Sequence, residues 1–336
     1  MSTPPNPPHT PDVAGYLLVH FVEDPHGHGE RVYFSLSNGP DPTRWTRANA
    51  GHPVLESSLG TTGARDPFIV HGDGEYYIIA TDLRVYGGDN QGWDEWKRTG
   101  SRSIIVWKSP NLIDWSTPWT LDIAPPEAGM AWAPEAIYDQ HTGRYLLFWA
   151  STLFNTTDPH HRGTTYSRIL AAWTTDFTTI TTPEPMIDYG VDIIDTTMFL
   201  HDGRVHRISK EDSGVPHSRR LFHETGTGYF SHDFDTLAQR IADDTYHQVE
   251  GPLVFFDHHA GRWVLLVDQF DRRPQGYVAL VSTDPQSGWT SAAREFVIPP
   301  NTKHGSVLPL THLQWVSITQ RFAAPSTAPQ GTPPPR

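Results

Sequence analysis

The chain has 336 residues, and its 25 Lys+Arg against 38 Asp+Glu give a formal net charge of −13. That balance excludes a protein that works by neutralising phosphates, since nucleic-acid binding needs a basic face. The absence of cysteine excludes disulfides, thiolate metal sites and cysteine nucleophiles together. In chain order, residues 1–12 carry five prolines and predict a disordered, solvated tail. They show neither a basic n-region nor an apolar h-region, so no secretory signal is expected and a cytoplasmic location is. Residues 13–322 show no linker and are read as one domain. Residues 323–336 predict a second Pro-rich disordered tail. No apolar run is long enough to span a bilayer, so no membrane association is expected.

Within the domain, short runs rich in aromatic and β-branched residues recur between Gly, Asp and Pro. Aromatic-rich strands are expected at 16–21, 76–81, 145–150, 205–209 and 263–268. Each is followed by another, at 31–37, 104–109, 169–175, 219–225 and 277–283. A bulky aromatic then precedes a last strand: Trp45, Trp115, Phe177, Phe234 and Trp289, spaced 70, 62, 57 and 55 residues apart. A second series of polar markers runs ahead of the aromatic-rich strands: Asp66, Glu135, Asp195, Glu250 and His304. It drifts in step, with spacings of 69, 60, 55 and 54. Two markers drifting together over a period above about 50, with about four strands per unit, predict propeller blades. The expectation is an all-β, five-bladed β-propeller with almost no helix. The N-terminal unit lacks an innermost strand, and residues 305–310 are expected to supply it and close the ring, which removes free sheet edges.

The innermost strand of a blade lines the central channel, so Asp66, Glu135, Asp195, Glu250 and His304 are expected to converge at its mouth. Four acids and a histidine at close quarters are costly, and at least one carboxyl should hold its proton unusually tightly. Loops between second and third strands return to the same face. They bring His26, His28, Asp82, Arg102, Ser151, Tyr166, Lys210, Glu211, Gln269 and Arg272, with Trp132 and Arg65 beside the ring. Polar groups against an aromatic wall suit a sugar, whose hydroxyls need directed hydrogen bonds and whose C–H face packs on a ring.

At this ring the sequence resembles glycoside hydrolase family 43 over nearly its whole length outside the tails. The segment Arg65-Asp66-Pro67-Phe68-Ile69 looks like the family segment whose Asp is the general base. Trp132-Ala133-Pro134-Glu135 looks like a segment that lines the sugar pocket. Ile194-Asp195-Thr196-Thr197 looks like the one carrying the auxiliary Asp, and Val249-Glu250-Gly251-Pro252 like the general-acid segment. Lys303-His304-Gly305 looks like the histidine segment that in many members lies near a bound ion. The resemblance therefore implies Glu250 as acid, Asp66 as base and Asp195 as the group that keeps Glu250 protonated. It further implies inversion, no required cofactor, and a structural Ca2+ or other ion near His304. Two departures, Thr196 after the auxiliary Asp and Glu135 where Asp is common, leave open whether Asp195 or Glu135 is the auxiliary acid. The related fructan-cleaving propellers share Arg-Asp-Pro. They pair it with a Glu-Cys motif that a cysteine-free chain lacks, and the nearest N-terminal match here is only Glu23-Asp24-Pro25.

The expected activity is exo-acting hydrolysis of an oligosaccharide or glycoside. An α-L-arabinofuranosidase leads because the long loops 82–103 and 151–168 would wall off the pocket. A β-xylosidase or galactofuranosidase of the same fold follows. Three other classes compete. A non-catalytic sugar-binding propeller would need no acid–base pair. A phosphorylase would need a basic cluster, for which Arg272-Arg273 or Arg219-Arg220 qualify. A metal hydrolase could draw on 19 histidines, but no paired His motif at helical ligand spacing is present.

Overall fold

The computed structural model describes residues 12–24, 26–215 and 218–322. The expected tails therefore lie, apart from Asp12, outside the described residues. The strands, in chain order, are β1 (Gly15–His20), β2 (Tyr33–Asn38), β3 (Asp41–Arg47), β4 (Ala64–Gly72), β5 (Glu75–Asp82), β6 (Ser103–Ser109), β7 (Trp119–Asp122), β8 (Trp132–Asp139), β9 (Arg144–Thr152) and β10 (Ser167–Thr174). Then come β11 (Glu184–Ile187), β12 (Ile193–His201), β13 (Arg204–Glu211), β14 (Leu221–Gly226), β15 (Asp235–Ala238), β16 (Val249–Asp257), β17 (Arg262–Gln269), β18 (Gly276–Ser282), β19 (Thr290–Ser291) and β20 (Gly305–Leu310).

They form five four-stranded antiparallel sheets. Blades I to IV are β4–β7, β8–β11, β12–β15 and β16–β19, each consecutive in sequence. The fifth sheet has the order β20-β1-β2-β3, with Gly305 opposite His20 and Leu310 opposite Gly15. The second strands of the blades are near-continuous apolar runs, such as Tyr76–Ala80 and Tyr145–Ala150, so that both faces of each blade are covered by a neighbour. The result is five apolar clusters, one at each junction between adjacent blades. Tyr145, for example, packs on Tyr77 and Phe177 across the I–II junction, while its hydroxyl donates to the Gly72 carbonyl at 2.8 Å.

The near absence of helix expected holds, with two short α-helices among the described residues. One, α1 (Trp93–Thr99), lies in the β5–β6 loop, and the other, α2 (His312–Phe322), follows the closing strand. The latter buries Ile318 and Phe322 against the junction of blades V and I, with Phe322 edge-on to Phe34. No helix among the described residues is long and apolar enough to cross a membrane.

One local feature positions the site. Each inner strand of blades I to IV carries a one-residue bulge near its start: between Arg65 and Phe68, Trp132 and Glu135, Ile194 and Thr197, and Glu250 and Leu253. The first bulged residue takes the left-handed conformation in every case: Asp66 (φ 49°), Ala133 (46°), Asp195 (46°) and Gly251 (53°). Bulges re-aim side chains next to functional sites, and a non-glycine residue held there stores strain. Here the strained acids are Asp66 and Asp195. The same register corrects the reading of four equivalent ring acids. Asp66, Ala133, Asp195 and Gly251 are the true equivalents. Glu250 stands one residue earlier, and Glu135 two residues later, one pleat further down the channel.

Candidate active site

The channel mouth opens into a pocket of about 520 Å3. Asp66, Asp195 and Glu250 all line it, together with Arg65, Trp132 and Lys303. Asp66 accepts a hydrogen bond from Thr81 Oγ1 at 2.9 Å, and Thr81 Oγ1 in turn accepts from the Ala133 N–H at 2.7 Å, so the blade I acid is tied to the blade II bulge. His304 Nδ1 lies 3.5 Å from the other Asp66 oxygen. Burial disfavours the Asp66 charge, but His304, Arg65 and Thr81 outweigh it and hold the carboxyl below the ordinary range. Burial equally disfavours the His304 cation. The contact with Asp66 and the fields of Asp195 and Glu135 overcome it and push the imidazole up to about 9.

The other side behaves oppositely. Glu250 is opposite Asp268 in the β16–β17 ladder. Burial first, then Asp195 and Asp268, push it up to about 8, against the pull of Lys303 and Lys210. Asp195 is also raised, by burial and by Asp66, although His304 opposes this. Asp195 accepts the Gly251 N–H at 3.0 Å, whereas no donor reaches Glu250 among the described residues. The proton this crowded group retains therefore belongs on Glu250. Gly251 is required twice over: its φ is left-handed, and a Cβ there would sit 2.6 Å from the His304 ring.

Glu135 does not line the pocket. It is 2 % exposed, both of its oxygens lack a hydrogen-bond partner, and burial pushes its carboxyl up to about 8. Of the two candidate auxiliary acids, only Asp195 reaches the cavity.

The loop residues sort differently from the expectation. Asp82 faces its own loop, accepting from Thr61 and Ser101. Arg102 donates to the Pro125 carbonyl on the surface, and Ser151 to that of Met130. Lys210 donates to the Val249 carbonyl at 2.9 Å, beside the acid but behind it. Gln269 clamps the β17–β18 loop through the backbone of Arg272 and Pro274, and Arg272 lies over Tyr246. His26, His28, Tyr166 and Glu211 also lie off the pocket; Tyr166 donates to Asp188, and Glu211 pairs with Arg219. Short polar loop residues were read as ligand contacts because sequence does not show which way a loop side chain turns. Most of them instead bond neighbouring loops and strands, and Gln269 bonds the backbone of its own loop.

What lines the pocket in their place comes largely from α1 and from charged residues near strand ends. Trp93 is 52 % exposed and meets Trp132 edge-on at 5.8 Å, forming an aromatic corner. Lys97 reaches across to blade III, 3.3 Å from Asp212 and 3.9 Å from Asp192. The 151–168 loop contributes no lining; it braces α1 from behind. There Arg98 donates to the carbonyls of His161 and Gly163, and Thr152 Oγ1 to that of Lys97. Glu23 is in the pocket, paired with Arg65 at 3.1 Å and 3.9 Å from Lys303. Buried Glu30 holds Arg65 from the other side and takes the N–H groups of Val85 and Tyr86, which fixes the wall loop to β4. The place of Lys303 next to His304 in sequence was the one signal available; Glu23, Glu30 and Trp93, each far from the ring residues in sequence, gave none.

His304 Nδ1 faces Asp66, and among the described residues no group of three or more His, Asp or Glu is arranged to hold an ion.

A family-43-related model described as a probable glycosyl hydrolase domain matches residues 11–315. An α-L-arabinofuranosidase of Bifidobacterium longum subsp. longum is 33 % identical over 214 residues, which is 60 % of this chain but 20 % of that protein, so the chain spans about one fifth of its relative's length. A thermostable family-43 glycoside hydrolase superposes with a TM-score of 0.49 at 19 % identity, over 71 % of this chain and 75 % of that one. The native arabinanase of Bacillus subtilis superposes with 0.46 at 15 %, over 75 % and 81 %. With the family model covering nearly the whole described chain, this protein belongs to the family-43-related glycosyl hydrolases.

Proposed function

We propose that the protein is an inverting, exo-acting α-L-arabinofuranosidase. The observation that carries the reading is the opposite bias of two carboxyls in one pocket: Asp66 held ionised, Glu250 held protonated. Glu250 gives its proton to the glycosidic oxygen as that bond breaks. A water attacks the anomeric carbon from the other side and gives its proton to Asp66, so the proton count balances and no covalent intermediate forms. Asp195 touches neither proton; its charge beside Glu250 keeps the acid loaded. Acid and base arise on blades IV and I, with the channel mouth between them, in keeping with room for a water.

Exo action is supported by the strap formed by α1. Lys97 ties it to Asp212 and Asp192, and the 151–168 loop braces it, so the pocket is walled on that side. Trp93 and Trp132 offer an apolar corner for the C–H face of a terminal sugar. The arabinofuranosidase of B. longum supports the choice of sugar.

A panel of p-nitrophenyl glycosides tests this. The α-L-arabinofuranoside should release p-nitrophenol fastest. Faster release from the β-xyloside or the β-galactofuranoside would overturn the sugar and keep the hydrolase. Binding of these glycosides without release of any would overturn the hydrolase itself.

A further inference from the structure

A second cavity of about 380 Å3 adjoins the active-site pocket and shares Arg273 and Gln275 with it. Its charge balance differs from that of the first, where Arg65, Lys97, Arg273 and Lys303 also stand among the acids. The active-site pocket is lined by five carboxylates: Glu23, Asp66, Asp195, Asp212 and Glu250. The second cavity is lined by none and by two guanidiniums, Arg272 and Arg273. In a chain of net charge −13, neither arginine has a carboxylate partner among the described residues. The apolar part of the wall is Ile298, Pro299, Pro300 and Tyr246, flat surfaces suited to the C–H face of a sugar.

The loop carrying the arginines is held in shape. Gln269 donates to the carbonyls of Arg272 and Pro274 and accepts from the Arg272 N–H, while Gln275 donates to the Phe270 carbonyl. The cavity also stands on the acid's side. It is built on the β17–β18 loop and β18, the same blade whose inner strand supplies Glu250. The group that protonates a leaving oxygen must face the leaving group, so the second cavity lies where the departing part of the substrate goes.

We propose that this cavity is the leaving-group site, and that Arg272 and Arg273 select an oligosaccharide whose next sugar carries a carboxylate, a uronate-bearing glycan. The proposal deepens the hydrolase reading and rests on it. Guanidinium recognises carboxylate by paired N–H···O bonds, and a cavity without competing acids leaves both forks available. Inorganic phosphate offers similar oxygens, but an inverting phosphorolysis would place it beside Asp66, on the face away from the leaving group. The other pair of neighbouring arginines is already neutralised, Arg219 by Glu211 and Glu224 and Arg220 by Asp243.

The test compares two matched oligosaccharides, a terminal arabinofuranosyl unit on glucuronate and the same unit on glucose. The expected ratio of kcat/KM, acidic over neutral, is about tenfold at low salt, the worth of one charge-assisted hydrogen bond. It should shrink towards one in 0.5 M NaCl and in the double variant Arg272→Gln/Arg273→Gln. A ratio near one in the unaltered protein, or a high ratio that survives the double variant, would overturn the proposal. So would turnover that requires added phosphate. If no glycoside is cleaved, the hydrolase reading fails on its own. Calorimetry with a glucuronate disaccharide then decides the cavity: binding lost in the double variant supports it, and equal binding by both proteins overturns it.

Discussion

Two sides of one pocket hold carboxyls of opposite character, and the difference comes from what stands behind each. Behind Asp66 are His304, Arg65 and Thr81, two cations and a hydroxyl, and the acid stays charged despite burial. Beside Glu250 are two more carboxyls, Asp195 and Asp268, which together with burial outweigh Lys303 and Lys210. The same ring of strand starts therefore holds one carboxyl charged and another protonated, set by neighbours rather than by residue type. Both sides rest on the bulge in each inner strand, which turns Asp66 and Asp195 into the channel at a cost in backbone strain.

The sharpest break of this contrast is to delete the base. Asp66→Ala should lower kcat on every glycoside by about 10^4 or more, with no loss of far-UV β-sheet signal; retention of a tenth of the activity would remove Asp66 from the chemistry. Deleting the acid should be selective. Glu250→Gln should cost about 10^2- to 10^4-fold on natural oligosaccharides and under about tenfold on aryl glycosides with good leaving groups, which need little protonation. Equal losses on both would argue that Glu250 is not the acid.

A subtler change blurs the contrast without removing either group. Asp195→Asn takes a like charge away from Glu250, so Glu250 should lose its proton at lower pH. The alkaline limb of the kcat/KM profile, expected near the raised Glu250 value of about 8, should then move to lower pH, with a rate loss of about tenfold to a hundredfold at neutrality. A limb that stays in place would separate Asp195 from the acid.

Glu135 sharpens the comparison from outside the pocket, because burial raises it although it does not line the cavity. It titrates near 8 in the fold against an ordinary 4.5. Below pH 4.5 both folded and unfolded states keep the proton and nothing is lost. Between 4.5 and 8 the unfolded chain releases it first, and stability falls as pH rises. Glu135→Gln should therefore match the parent near pH 4 and exceed it at pH 7 by on the order of 2–3 kcal/mol in denaturant unfolding. The smallest effect belongs to the strap: Lys97→Met should cost under about 1 kcal/mol, since its partners are half exposed, but should raise KM for short substrates several-fold.

Much of this was legible in the sequence because propellers repeat. The aromatic and polar markers kept pace through all five units, and the strands at 76–81 and 145–150 fall within β5 and β9. Asp66, Asp195 and Glu250 were legible for the same reason. Glu135 was misplaced because matching acid to acid along the chain aligned it with Asp66, when the register of the two bulges makes Ala133 the equivalent. Trp93 and Lys97 were hidden in a loop whose helix is short and gains its stability from tertiary contacts with Asp212 and the 151–168 loop. Glu30 was hidden because its value lies in reaching Arg65, Val85 and Tyr86, which are 35 or more residues away.

The division of labour between Asp66 and Glu250 is tested most directly by proton NMR of the sugar as it is first released, before mutarotation mixes the anomers. A water activated by Asp66 and a proton from Glu250 give a product of inverted anomeric configuration. A retained configuration would contradict the account, because it would require one of the carboxylates, Asp66 or Asp195, to have bonded to the sugar.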